Sequence, residues 1–183
     1  MKTNFKSRNR QAGMSLIETM IAALILTIGV AAVASVYTQG IMFMGVSQDD
    51  FIAKEKAREA IESVFTARDT RTLTWALIRN VAGASGADGG VFLDGPLPMN
   101  DPGPDGLVNT ADDGPLQTIV LPGPDNLLGT ADDVFIPLAK FQRQILIRDT
   151  AAPNLRSLTV IITYRSGRLQ RTYTISTYIS QFS

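Results

Sequence analysis

From Thr19 to Gln48, thirty consecutive residues carry no charge, and most are Ile, Leu, Val, Ala or Met. As a helix this run would measure about 45 Å at 1.5 Å per residue, longer than the roughly 30 Å hydrocarbon core of a bilayer. It is long and apolar enough to span. Lys2, Lys6, Arg8 and Arg10 lie in the first thirteen residues, which hold no acid, and no base directly follows the run. That asymmetry predicts a cytoplasmic N-terminus with the rest of the chain exported.

The 183 residues leave room for one further domain, and they contain no Cys and no His. Without imidazole or thiolate there is no triad-type hydrolase and no zinc site of the usual nitrogen and sulfur ligands. A disulfide scaffold is excluded as well. Lys plus Arg and Asp plus Glu balance at 17 each, but the charges are segregated. Residues 80–139 hold nine Asp and no base, whereas residues 140–183 hold seven bases against Asp149 alone. Loss of the first thirteen residues would leave a net charge of about minus four, which is not the balance of a general nucleic-acid binder.

Two cleavage schemes compete at the N-terminus. In an ordinary secretory signal, Ala32-Val33-Ala34 is the small-residue site and a soluble protein begins at Ser35. Such a signal has no use for Glu18, which sits among Leu16, Ile17, Met20 and Ile21. A carboxylate there costs on the order of 2.5 to 3.5 kcal/mol on insertion scales and calls for a partner. A simpler account is an acid tolerated at a helix start, where the dipole favours it.

The run Gly13-Met14-Ser15-Leu16-Ile17-Glu18, placed after a basic leader and before the apolar helix, resembles the processing signature of type IV prepilins and pseudopilins. The resemblance implies cleavage after Gly13 by a prepilin peptidase, methylation of Met14 as the new N-terminus, and retention of the apolar helix. It also gives Glu18 the role of meeting the N-terminal amine of a neighbouring subunit. An ammonium and a carboxylate buried together offset each other's desolvation. Met14 stands where Phe is the commonest family residue. No Pro occurs before Pro96, whereas many major pilins have a helix-kinking Pro, which points away from a major subunit.

Beyond Gln48 the pattern turns amphipathic, with Ala53, Ala57, Ala60, Ile61, Val64 and Phe65 at three- and four-residue spacing among charged residues. The spacing predicts one helix over residues 14–68, about 80 Å long, whose 49–68 half packs on a globular head at 69–183. Thr74 to Val81 reads as a short second helix, at 74–82 and ending near Gly83, with Trp75 in the core. Eight of nine Pro and ten of fifteen Gly then fall between Asn80 and Ala139, so residues 83–137 read as a long loop.

That loop contains a repeat. Pro102 to Asp113 and Pro122 to Asp133 are identical at nine of twelve positions. Each copy places carboxylates at its fourth, eleventh and twelfth residues with no base nearby, and hard oxygen ligands on such a loop suit Ca²⁺. The segment resembles the Asp-rich calcium-binding repeats of exported bacterial proteins. The candidate ligands are Asp105, Asp112, Asp113, Asp125, Asp132 and Asp133, with Asn109 or Asn126 and backbone carbonyls completing the shell. The alternating acids and closing Glu of an EF-hand are absent. A pair of solvated Asx turns explains the same residues without metal.

Phe141–Arg148, Leu158–Arg165 and Leu169–Ile179 are rich in Ile, Val, Thr and Tyr, and Ser166-Gly167 suggests a hairpin between the last two. An antiparallel sheet of three or four strands is expected at 140–180, with Leu158, Val160, Ile162 and Tyr164 toward the helix. Gln117–Leu121 and Val134–Leu138 are candidate short strands around the second repeat. Arg143, Arg148, Arg156, Arg165, Arg168 and Arg171 decorate the sheet. They read as a solvated face or as partners for a neighbour's acidic loops. Nucleic acid is not expected, because no aromatic residues interleave with them.

The expected fold is α+β: a pilin-like ladle whose long N-terminal helix packs on a small antiparallel head. The resemblance implies a structural subunit and no enzyme, closest to minor pilins of the pilus-modification kind, with a type II secretion pseudopilin as the alternative. Its partners would be the prepilin peptidase and other pilin subunits. It would reside in the inner membrane as a single-pass precursor and then in a pilus or pseudopilus. A soluble calcium-binding domain released at Ser35 is the alternative from another class. An enzyme would rest on nothing better than the Asp112-Asp113 type of pair.

Overall fold

The first element, α1 (Leu16–Asp69), is a 54-residue helix without a proline or a break. Its Ala, Leu, Ile and Met content favours helix, and Ser15 caps it, its hydroxyl accepting from the Glu18 N–H at 3.4 Å. The computed structural model describes residues 15–82, 89–167 and 169–182. The chain divides into two compact units, Met1–Met44 and Gly45–Ser183. In the first, every α1 side chain from Leu16 to Met44 is exposed. α1 alone among the described residues is long and apolar enough to cross a membrane.

In the second unit α1 changes character. Ala53, Ala57, Ala60, Val64 and Ala67 are buried, one turn apart on a single stripe, with Ile61 and Phe65 packed beside them. Small residues there let the sheet approach the helix backbone. Thr70 then bonds back to the Thr66 carbonyl, and Arg71, in the left-handed region at φ 58°, turns the chain away.

The sheet opposite has the order β1–β4–β5–β6, all antiparallel: β1 Leu97–Pro98, β4 Phe141–Asp149, β5 Leu155–Ser166 and β6 Leu169–Ser180. The alternation read from the sequence holds. Leu158, Val160, Ile162 and Tyr164 of β5 face the same core as Phe141, Ile145 and Ile147 of β4 and the alanine stripe of α1. Ser166 pairs with Leu169, so the hairpin turn begins at Gly167, at φ 60°, one residue later than the sequence suggested. The turn's other residue, Arg168, lies outside the described residues.

The two candidate strands around the second repeat form, as β2 (Thr118–Leu121) and β3 (Val134–Pro137), but they pair with each other as a separate two-stranded hairpin. Strand β1 has no sequence signal.

The helix expected over Thr74–Val81 is reduced to a single 3₁₀ turn, Trp75–Leu77. Its carbonyls are engaged elsewhere. Arg156 Nη1 donates to the carbonyls of Trp75 and Ile78, and the Leu77 carbonyl accepts from the N–H groups of Arg79 and Val91. Asn80 bridges to Phe92 and is pinned by its own side chain, which bonds the Ile145 carbonyl at 2.8 Å and the Ile147 N–H at 2.8 Å. Trp75 is half-buried at the core rim under the Arg156 guanidinium, 4.1 Å from its ring centre. Gly83, the expected helix end, lies outside the described residues.

Candidate functional site

Gly13 and Met14, the expected cleavage and methylation positions, lie outside the described residues. What the structure describes begins at Ser15. Glu18 occupies the third position of the helix, with its N–H bonded to both the carbonyl and the hydroxyl of Ser15. Ser15 and Glu18 thus have the spacing of a capping box, and the acid sits where the helix dipole stabilises negative charge. Its carboxylate is exposed and has no ion-pair partner among the described residues. Beyond it, from Thr19 to Met44, the exposed surface carries no charge and is mostly apolar.

The two Asp repeats adopt the same backbone. In each, the fourth-position Asp accepts from the N–H two residues on: Asp105 from Leu107 at 2.8 Å, Asp125 from Leu127 at 2.9 Å. The twelfth accepts from the N–H groups of positions eight and nine: Asp113 from Asn109 and Thr110, Asp133 from Gly129 and Thr130. The ninth-position hydroxyl donates to the eleventh, Thr110 to Asp112 and Thr130 to Asp132. Asp112 also packs against Gly103 so closely that an added Cβ would sit 2.7 Å from its carboxylate, and Asp132 crowds Gly123 in the same way.

Positions five and eight need positive φ in both copies, and the sequence meets this with Gly and Asn in opposite order: Gly106 and Asn109, then Asn126 and Gly129. These are the residues that tolerate the left-handed region. Each copy thus holds its turn through its own hydrogen bonds, although Asp133 Oδ1 is buried without a partner among the described residues. Among the described residues, no group of three or more Asp or Glu side chains gathers as a metal cage. The Asp132 carboxyl is held below its usual pKa by the Thr130 hydroxyl and the Asp125 N–H.

The surroundings of the two copies differ. Leu107 and Val108 are core residues at 1% and 0% exposure, whereas their counterparts Leu127 and Leu128 are 62% and 66% exposed. Position eight separates them. Asn109 reaches Arg143 with both ends of its amide: Nδ2 donates to the Arg143 carbonyl at 2.9 Å and Oδ1 accepts from Arg143 Nε at 2.6 Å. Gly129 has no side chain to do this.

Comparison with known proteins bears on the N-terminal half of the site. Residues 8–34 match the family model of the prokaryotic N-terminal methylation motif. The chain carries the type IV prepilin-type signature. The matched stretch covers Arg8, Arg10, Gly13, Met14, Glu18 and about the first five turns of α1, and ends before the head. No curated protein and no solved structure matches the chain.

Arg165 and Arg171 lie exposed as the sequence suggested, but Arg143 and Arg156 do not. Arg143 is fully buried, and its Nη2 donates to the Asn100 carbonyl at 3.1 Å. Burial lowers its pKa, while Asp113 and Glu59 oppose that shift. Arg156, 2% exposed, bonds Asp149 through Nε at 2.8 Å. Arg148 bonds the Asn80 side chain, and Arg171 pairs with Asp50 at 3.2 Å. Arg165 alone of the described five is exposed without an ion pair. The telling signal is strand phase: Arg143 alternates with Phe141, Ile145 and Ile147, and Arg156 with Leu158, Val160 and Ile162, so both point inward.

Asp149 is held below the usual carboxylate range, first by the hydrogen bond from Arg156 and then by the charges of Arg156 and Arg79. The folded protein therefore binds this proton less tightly than the unfolded chain. The resulting stability is present above the unfolded value of about 3.9 and is lost as pH falls through the lower folded value. Asp149→Asn is expected to cost about 1 kcal/mol at pH 7, discounted because the carboxylate is partly exposed. In thermal melts the gap from wild type should close below about pH 4.

Proposed function

We propose that the chain is a structural subunit of a type IV pilus or pilus-like filament, processed after Gly13 and assembled through its exposed apolar helix. The observation that carries this is the methylation-motif match over residues 8–34, joined to a helix whose apolar half is exposed on every side. An exposed apolar rod is stable in a bilayer and then in a bundle of like helices. Glu18 would supply the carboxylate that meets the amine of a neighbour's Met14.

Release at Ser35 fits these facts poorly. It would leave Val36, Tyr37, Ile41, Met42, Phe43 and Met44 in water, each more than half exposed. Within the filament reading, the unbroken proline-free helix and the long acidic loop favour a minor subunit that acts in assembly or initiation. A secretion pseudopilin shares every feature named here. Calcium is a proposal resting on the sequence of the repeats. A melting temperature that rises with calcium and falls with chelator supports it, and an unchanged one assigns the loops to hydrogen bonds alone.

The test is fractionation of cells making the chain with its native peptidase. The subunit is expected in the inner membrane and in sheared filaments. Recovery solely as a soluble exported protein contradicts the proposal.

A further inference from the structure

One module appears twice in this head, docked once and bare once. The first copy buries Leu107 and Val108 in its own core. The second holds the same turn geometry at the tip of the β2–β3 hairpin, with Leu127 and Leu128 uncovered, and continues into exposed Val134 and Phe135. Exposed leucines grouped at a hairpin tip beside carboxylates suit protein docking. Residues 80–139 contain no base at all, so the rim of this hairpin is purely acidic.

A complementary surface lies on the same chain. A hollow of about 290 Å³ is lined by Lys140, Gln142, Tyr164, Arg165 and Gln170 at one end of the sheet. Arg165 has no ion-pair partner among the described residues, and Lys140, paired with Asp49 at 2.5 Å, keeps nearly half its side chain exposed. Leu169, 71% exposed, stands next to Gln170. Strand β6 is the sheet's outer strand, so this rim is not covered by another strand of the sheet.

We propose that the second repeat is a docking element that seats on the Lys140–Arg165 hollow of a second copy of this chain. Asp125 and Asp132 meet Arg165, the cation of the hollow without an ion pair among the described residues, while Leu127 and Leu128 cover Leu169. The two surfaces are different, so the contact is head-to-tail, and such contacts propagate without closing into a dimer. The proposal rests on the filament-subunit reading, not on the assignment as a minor subunit, and adds to it a contact between the heads of neighbouring copies.

The native chain has no Cys, which makes engineered disulfides unambiguous. Leu128→Cys and Gln170→Cys, both at exposed positions, would be expressed singly and together in the full chain with its peptidase. The double variant is expected to give a ladder of covalent multimers, and each single variant monomers. Arg165→Glu in the double variant should lower ladder yield about tenfold. No ladder, or dimers from Leu128→Cys alone, would overturn the proposal. The intact mass of the same samples separates this from the parent reading. Chains beginning at Met14 without a ladder remove only the docking contact, and a ladder from chains beginning at Ser35 keeps the contact and removes the filament.

Discussion

Replacing Arg143 with Ala is expected to cost the head about 3–5 kcal/mol, a large part of the 5–15 kcal/mol that holds a typical domain folded. The guanidinium is fully buried and supplies donors to Asn109 Oδ1 and the Asn100 carbonyl. Truncation leaves both acceptors unpaired and opens a cavity beneath the first repeat. Arg143→Met fills the volume without the donors, and should recover only the cavity part. A cleaner form of the same prediction uses the repeat as its own control. Asn109→Gly gives the first copy the residue that the second carries, keeps the φ of 61° accessible, and removes only the amide bonds to Arg143. It should cost about 1–3 kcal/mol. Gly129→Asn, at an exposed position that Asn tolerates, should change stability by less than about 0.5 kcal/mol. Urea melts of the detergent-extracted chains measure all four, and equal effects of the two repeat substitutions would refute the assigned role of Asn109.

Glu18→Ala is expected to leave processing intact and to remove the subunit from filaments. The carboxylate has no partner within the described chain, and in a bundle of apolar helices an isolated charge is heavily penalised. Only an ammonium from a neighbour offsets that cost, so Glu18→Gln, which keeps size and hydrogen bonding but not charge, should fail as well. Ser15→Ala is the control. It removes the cap at a cost of about 1 kcal/mol and should still assemble. Incorporation is read by immunoblot of sheared filaments against total membrane. Normal incorporation of Glu18→Gln would reduce the acid to a helix-start residue.

The parts of this protein with a clear periodicity are legible in its sequence. The 53–65 stripe and the β5 alternation each have a repeat that only one element satisfies, the apolar run is too long for a strand, and all appear as expected. Residues 74–82 depart from their helical pattern because distant groups override it: Asn80 is tied to β4, and Arg156 takes the carbonyls a helix would need. The arginines depart from expectation because residue type and strand phase disagree. A buried guanidinium is uncommon enough that charge suggests exposure, although the alternation around Arg143 and Arg156 places them inward. The duplication of the repeat is visible in the sequence, but not that one copy docks while the other stays bare. That difference rests on Asn109 against Gly129 and on a partner residue 34 positions away.

The central claim is tested most directly by intact mass and N-terminal sequencing of the membrane-extracted protein made with its native prepilin peptidase. The account predicts a chain that begins at N-methylated Met14 and keeps its whole apolar helix. A soluble chain that begins at Ser35 would contradict it.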